Sequence, residues 1–301
     1  MAPRRDFSGI TVVTVTGQVG PDGGDLATHS LVHSAAQLPG ARALMLSPQR
    51  PTNLPAYVEH RRVKPFGSLE YSVFIMYALA AFIETDHLLV VQHDGWVLNA
   101  DNWDDRFLAY DYIGAPSVTA LVTDPAGGQS VGRDFSWQTL VGVPGYQVRP
   151  VYNGGFSLRS RRLMRAPIEL GLQMNLFLPQ LTYRGAGALT TYELSWTYGH
   201  HAEDAQLCIF MRPQLEAAGM RFAPLDLAKA FSFEFLGETL HAGYDLGASF
   251  GAHCRLRSLV SHDPPIVRYH APEAVLRENH RQLEVREFLA RYPGYRVVGQ
   301  A

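Results

Sequence analysis

The sequence has little of several things that would fix a function class at once. Only two of its 301 residues are cysteine, Cys208 and Cys254. That number excludes a disulfide framework and a zinc site built mainly on thiolates. Net charge is small, with 26 basic residues against 28 acidic ones. A protein made chiefly to hold nucleic acid or an anionic membrane is usually far more basic, so nucleic acid is not an expected partner. The greasiest stretch, Tyr71 to Ile83, is too short to span a bilayer and has Glu70 and Glu84 beside it. Met1 to Gly9 carries charge but no apolar segment of the kind a leader needs. The expectation is a cytoplasmic protein with no membrane span. Repeats, low-complexity tracts and linkers are also missing. A single domain over residues 1–301 is expected, with a core at about 10–255 and a C-terminal helical extension at about 265–301.

What is present is a globular composition, 47% hydrophobic and 18% charged, enough to bury a full core. Ile10–Thr16 and Ala41–Leu46 read as buried strands, and so does His87–Val91. Helices are expected over Thr28–Gln37, Leu69–Ile83 and Ser160–Ile168, and over Ala205–Ala218. Asp101 is placed as the N-cap of a helix running to Tyr110. Tyr112–Val118 holds a short strand. Thr123–Pro150, rich in Gly and with Trp137 near its middle, reads as a long binding loop or lid. Arg221–Pro224 and Phe231–Phe235 look like short strands, and Pro272–Tyr292 like an amphipathic helix. Strands alternate with helices through the first half. The expected fold is therefore α/β, with a mainly parallel central sheet and helices on both faces.

Four segments carry residues suited to chemistry. His87–Val91 runs into Gln92-His93-Asp94-Gly95. In open α/β sheets ligands gather at the carboxyl ends of strands. An Asp there can bind a hard cation that holds phosphate oxygens, and Gly95 lets a ligand come close; an ordinary Asp-Gly turn fits the same string. Asn153-Gly154-Gly155 removes two side chains beside a strand start, exposing backbone N–H groups to an anion or sugar hydroxyl; an Asn-Gly turn is the alternative. Glu203-Asp204 opens a helix, where carboxylates commonly act as caps. The functional alternative is a general base, Asp204, kept ionised by the helix dipole. His253 stands alone late in the chain, either as a structural side chain or as a ligand.

The order of these segments resembles that of the functional elements of GT-A glycosyltransferases. Those enzymes have an Asp-x-Asp motif at a strand end, a glycine-bearing loop, an x-Glu-Asp motif at a helix start and a C-terminal metal-binding His. More specifically, the strings Gln92–Gly95, Tyr110–Pro116, Asn153–Arg159, Glu203-Asp204 and Phe222–Pro224 resemble an uncharacterised glycosyltransferase-like family classed as a domain of unknown function. The likeness runs from about Val63 to His253, and its most specific string is NGGFSLRS.

The resemblance implies a single GT-A-like, Rossmann-like domain. It implies transfer of a sugar from a nucleotide-sugar donor, with a UDP-sugar as the guess, to a glycan or other hydroxyl acceptor, with inversion. Asp204 and Glu203 take the catalytic positions. Asp94 and His253 take those of ligands to Mn²⁺ or Mg²⁺. Donor and acceptor binding falls to Thr14, Thr16, Gly17, Gln92, Gly95, Asn153, Gly154 and Gly155, with Trp137 either a stacking surface or loop packing. One departure stands out: Gln92 occupies the position of the first Asp of Asp-x-Asp, and a neutral amide is the weaker cation ligand. Two other readings stay open. One is a metal-dependent hydrolase using Asp94, His200, His201 and His253. The other is a non-catalytic nucleotide- or sugar-binding module.

Overall fold

The computed structural model describes residues 5–19, 21–176, 178–184, 187, 190–195, 201–234, 240, 248–253, 271–272 and 297–298. The chain begins with β1 (Ile10–Val15), a β-branched run buried along its whole length. Helix α1 (Pro21–Ala36) follows, then β2 (Arg42–Ser47) and β3 (Glu59–Arg62). Helix α2 (Ser68–Tyr77) leads to β4 (His87–Val91), β5 (Gly95–Val97) and β6 (Tyr112–Thr123). Next come β7 (Gln129–Gly132), β8 (Gln147–Ser160) and α3 (Arg161–Glu169). A hairpin of β9 (Gln180–Arg184) and β10 (Thr191–Ser195) precedes α4 (Glu203–Ala205) and α5 (Arg212–Ala217). The described core closes with α6 (Leu225–Phe231), β11 (Ser232–Phe233) and β12 (Gly251–His253).

The central sheet has seven strands in the order β3-β2-β1-β4-β8-β6-β7. The first four run parallel. Strand β8 is antiparallel to both β4 and β6, and β7 is antiparallel to β6. Five of the seven strands therefore point the same way, and the expected α/β sheet is present with an antiparallel second half. Alternation along β1, β2 and β4 sorts the core into two faces. Val12, Met45 and Leu89 meet Leu31 of α1 and Phe231 of α6 on one side. Val13, Leu44 and Val90 meet Ile75 near α2's end and Met164 of α3 on the other. Helices cover both faces.

Several local expectations shift. Helix α1 starts at Pro21, where a missing N–H costs nothing. The stretch after α2 tightens into a 3₁₀ turn, Leu79–Phe82. Asp101 does not open a helix: two 3₁₀ turns form instead, capped by Asn99 and Asp104. The expected long loop is largely an antiparallel arm of β6, β7 and β8. The helix expected from Ala205 is continuous in chain but passes through a π-helical turn, Gln206–Phe210. Phe222 makes only an isolated bridge with Tyr112. The expected C-terminal helix and Cys254 lie outside the described residues. No helix among the described residues is long and apolar enough to cross a membrane.

Candidate functional site

The site forms where β1 and β4 end. These strands are parallel neighbours, with Val13 opposite Val90. Thr16-Gly17 and Gln92-His93-Asp94 therefore leave the sheet at the same edge. A second, three-stranded sheet in the order β11-β12-β5 then gathers three more segments. His253 pairs in register with Gly95, and Glu234 follows directly after β11 beside it. Residues 94, 234 and 253 meet because these short strands pair, although Asp94 lies more than a hundred residues before the other two along the chain.

The glycines are required by space. Gly154 and Gly155 both sit inside β8, not in a turn, and neither has positive φ. Between Tyr152 and Ser157, β8 spends five residues on a length that β6 covers with two, Gly114 to Pro116. The Asn-Gly-Gly string is thus a bulge, a device common beside active sites. A Cβ on Gly155 would lie 2.2 Å from His253 Nε2 and 2.6 Å from Gln92 Oε1. One on Gly154 would lie 2.0 Å from Glu203 Oε1. One on Gly95 would lie 2.6 Å from the Gly155 carbonyl. Any side chain at these three positions would push the site apart.

Around the bulge stand the ionisable groups. Asp94 Oδ1 lies 3.2 Å from His253 Nε2. The two form an ion pair, and Asp94 Oδ1 and both His253 ring nitrogens are buried with no further hydrogen-bond partner among the described residues. Burial opposes ionisation of Asp94, but the His253 ring outweighs it and holds the carboxyl well below its usual range. Burial likewise favours neutral His253, and the Asp94 charge overcomes it to raise the imidazole. Glu234 Oε1 accepts from Asn153 Nδ2 at 3.0 Å and lies 4.0 Å from His253 Nδ1. Its burial pushes the carboxyl up to about 7. Glu234 is a site residue the sequence reading missed. Its one signal was a lone acid inside the apolar run Phe231–Phe235.

Asp204 sits on the other side of the bulge. Its Oδ2 accepts from the Gly154 N–H at 3.2 Å and its Oδ1 from the Ala205 N–H at 2.6 Å. Burial, then the neighbouring Glu203 charge, raises this carboxyl to about 6. The helix-start placement does not hold the carboxyl low, because desolvation outweighs its N–H donors, yet at about 6 the group is still mainly ionised at neutral pH. Glu203 points the other way. It is buried and pairs at 2.9 Å with fully buried Arg159. Arg159 also donates to the Gly154 carbonyl at 3.1 Å and to Ser157 Oγ at 2.9 Å. Glu203 is thus engaged with Arg159, which in turn holds the bulge, and unlike Asp204 it does not bond to the Gly154 N–H.

Other expected binding residues divide similarly. Thr14 is fully buried and its hydroxyl donates to the Val91 carbonyl, joining β1 to β4. It offers nothing to a ligand. Thr16 and Gly17 reach the open edge, where Gly17 packs against Phe66. Asn153 turns inward, accepting from Gly155 N–H at 2.6 Å while holding Glu234. Gln92 donates to the Tyr71 hydroxyl at 2.8 Å. Trp137 is only 2% exposed and donates to the Val118 carbonyl. It packs with Ala120, Val122 and Leu240, so of its two readings the packing one fits. His201 contacts Ser68 Oγ at 2.9 Å, and His200 lies outside the described residues.

Asp94 and His253, the two residues expected as cation ligands, lie next to each other. Two cis ligands at ~2.1–2.2 Å from one ion stand about 3 Å apart, close to the 3.2 Å that this ion pair shows. No group of three or more His, Cys, Asp or Glu among the described residues is arranged to hold a metal. Any remaining ligands would come from water or substrate oxygens.

A family model described as a protein of unknown function (DUF5672) matches residues 66–253. That span reaches from the Phe66 that packs on Gly17 to His253. No curated protein matches the chain.

Proposed function

The chain belongs to the DUF5672 family of proteins of unknown function, and we propose that it is a glycosyltransferase that moves a sugar from a nucleotide-sugar donor to an acceptor hydroxyl with inversion. One observation carries this reading. Asp94 with His253, and Asp204, flank a glycine-bearing bulge at the carboxyl edge of the parallel strands. The first pair suits a diphosphate and its cation, and the second carboxylate suits a proton acceptor. The resemblance of the same segments to GT-A enzymes agrees with it.

In this reading Asp204 takes the proton of the acceptor hydroxyl. A carboxyl raised to about 6 is ionised at neutral pH and still basic enough to help. The acceptor oxygen bonds to the anomeric carbon while the bond from that carbon to the diphosphate oxygen breaks. The electron pair leaves with the nucleoside diphosphate. Asp94 and His253 would hold a Mn²⁺ or Mg²⁺ whose charge offsets that of the diphosphate. Gly154 and Gly155 leave room for the sugar against the backbone, and Arg159 fixes the bulge through Glu203. Thr16 and Gly17 lie where the nucleotide would end.

The test is calorimetry with UDP and other nucleoside diphosphates, with and without Mn²⁺. Cation-dependent binding that Asp94→Ala weakens at least tenfold is the expected result. Equal affinity in both proteins removes Asp94 from the site, and no binding of any nucleotide sinks the transferase.

A further inference from the structure

A cleft of about 490 Å³ has Ala205, the residue after Asp204, in its wall. One side is the outer face of the antiparallel arm. Alternation sends Ala120, Val122 and Val148 into the arm's own small core with Trp137. It sends Leu121, Val131 and Arg149 outward, in register with one another, into the cleft. The opposite side is the π-helical turn, which presents Ile209 and Phe210. A π turn re-aims side chains that a regular helix would place elsewhere. Arg133 stands at the rim, and none of the described lining residues is acidic. A second arginine-rich hollow, at Arg161, Arg162, Arg165 and Arg221, differs in kind. Asp86 and Asp111 line it too, and Arg162 and Arg165 are already paired with Asp111 and Glu169.

We propose that the cleft beside Asp204 is the acceptor subsite, and that its acceptor has an apolar body ending in an anionic group, a phosphate or carboxylate. The assignment rests on the transferase reading for the word acceptor; the charge and shape of the ligand rest on the cleft alone. Apolar walls from Leu121, Val131 and Phe210 favour a ligand body with little polar surface. Arg149 supplies a planar fork suited to an oxyanion, and among the described lining residues no carboxylate competes for it. Length follows from the strand. Arg149 lies five residues from Gly154 along β8, a reach of at most ~18 Å. That reach is the upper bound on the distance between the anionic group and the bulge beside Asp204.

The test measures binding of phenyl phosphate, benzoate and benzyl alcohol to the full chain by titration calorimetry or ligand-observed NMR. The anions are expected to bind saturably, about tenfold or more tighter than the neutral alcohol. Whichever anion binds tighter identifies the group. Arg149→Gln and Val131→Asp should each weaken that binding about tenfold; Val131 is 44% exposed, so its variant should fold. Nucleoside diphosphate binding at Asp94 should be unchanged in both. Equal binding of anion and alcohol, no binding of either, or full anion binding in both variants overturns the proposal. Because no donor is needed, loss of nucleotide binding alone would sink the transferase and leave the anion site standing.

Discussion

At one end of β4, Asp111 is saturated: Ser160 Oγ, the Arg162 guanidinium through two nitrogens and the Arg221 N–H all donate to it. At the other end, Asp94, His253 and Glu234 retain buried atoms with no hydrogen-bond partner among the described residues. Both clusters join distant segments, and both mix acids with bases. They differ in whether the protein meets every lone pair itself. A saturated carboxylate ties β6, α3 and the segment at Arg221 together. An unsaturated one costs stability, and such cost is often retained where a ligand completes the set. That contrast separates scaffold from site more sharply than residue type does, since an Asp is central to each.

The largest effect should come from Asp204→Asn. Transfer should fall ~10²–10⁴-fold while the melting temperature holds or rises, because a buried charge has been removed. Turnover within a few-fold of the parent would show that Asp204 is not the base. Asp111→Asn should do the reverse, lowering stability while sparing turnover per folded molecule.

Next in size is the ion pair beneath the bulge. Arg159→Met or Glu203→Met alone should cost about 3–5 kcal/mol in denaturant unfolding, since each strands a buried charge. The double variant should recover much of that loss. If the two single losses simply add, the pair is not coupled as the 2.9 Å contact implies.

Asp111→Ala should cost less, about 1.5–3 kcal/mol, the range for hydrogen bonds to a charged group. The buried Ser160 hydroxyl is stranded, whereas Arg162 is half-exposed and can rehydrate. Chemical denaturation at neutral pH reads this directly.

The smallest effects are pH-dependent, and the two ends have opposite signs. Burial opposes the Asp111 charge, but Arg162 and Ser160 outweigh it and hold the carboxyl below its usual range. Its stability contribution is present above the ordinary carboxylate range and is lost as pH falls through the depressed folded value. Asp204 is raised to about 6. Its native state keeps a proton the unfolded chain has released, so it lowers stability as pH climbs from ~4 to 6. Asp204→Asn should flatten that decline, and Asp111→Asn should remove part of the acid lability. Activity, needing ionised Asp204, should rise through pH 6; a flat profile across that range would count against it.

Much of the parallel half was legible because local pattern decides it. The run at Ile10 is β-branched and buried throughout, and His87–Val91 begins and ends where its apolar run does. Gln92–Gly95 and Asn153–Gly155 were recognisable as site segments. The role of the glycines was not, because it depends on atoms from residues 203 and 253 filling the space where Cβ would be. The arm at 123–150 hid for a related reason. Its strands are held by pairing across the β6–β8 ladder more than by their own composition. Glu234 was invisible as a site residue because a three-residue strand, β12, decides its neighbours.

By itself the sequence determined the strands of the parallel half and where polar residues interrupt them, since those depend on periodicity and backbone preference over a few residues. Only the tertiary structure decided which partner each acid meets. Glu203 and Asp204 are adjacent in sequence, yet one is spent on Arg159 and the other meets Gly154. Charge, burial and hydrogen bonding are set by neighbours in space, and a bulge in β8 chose those neighbours.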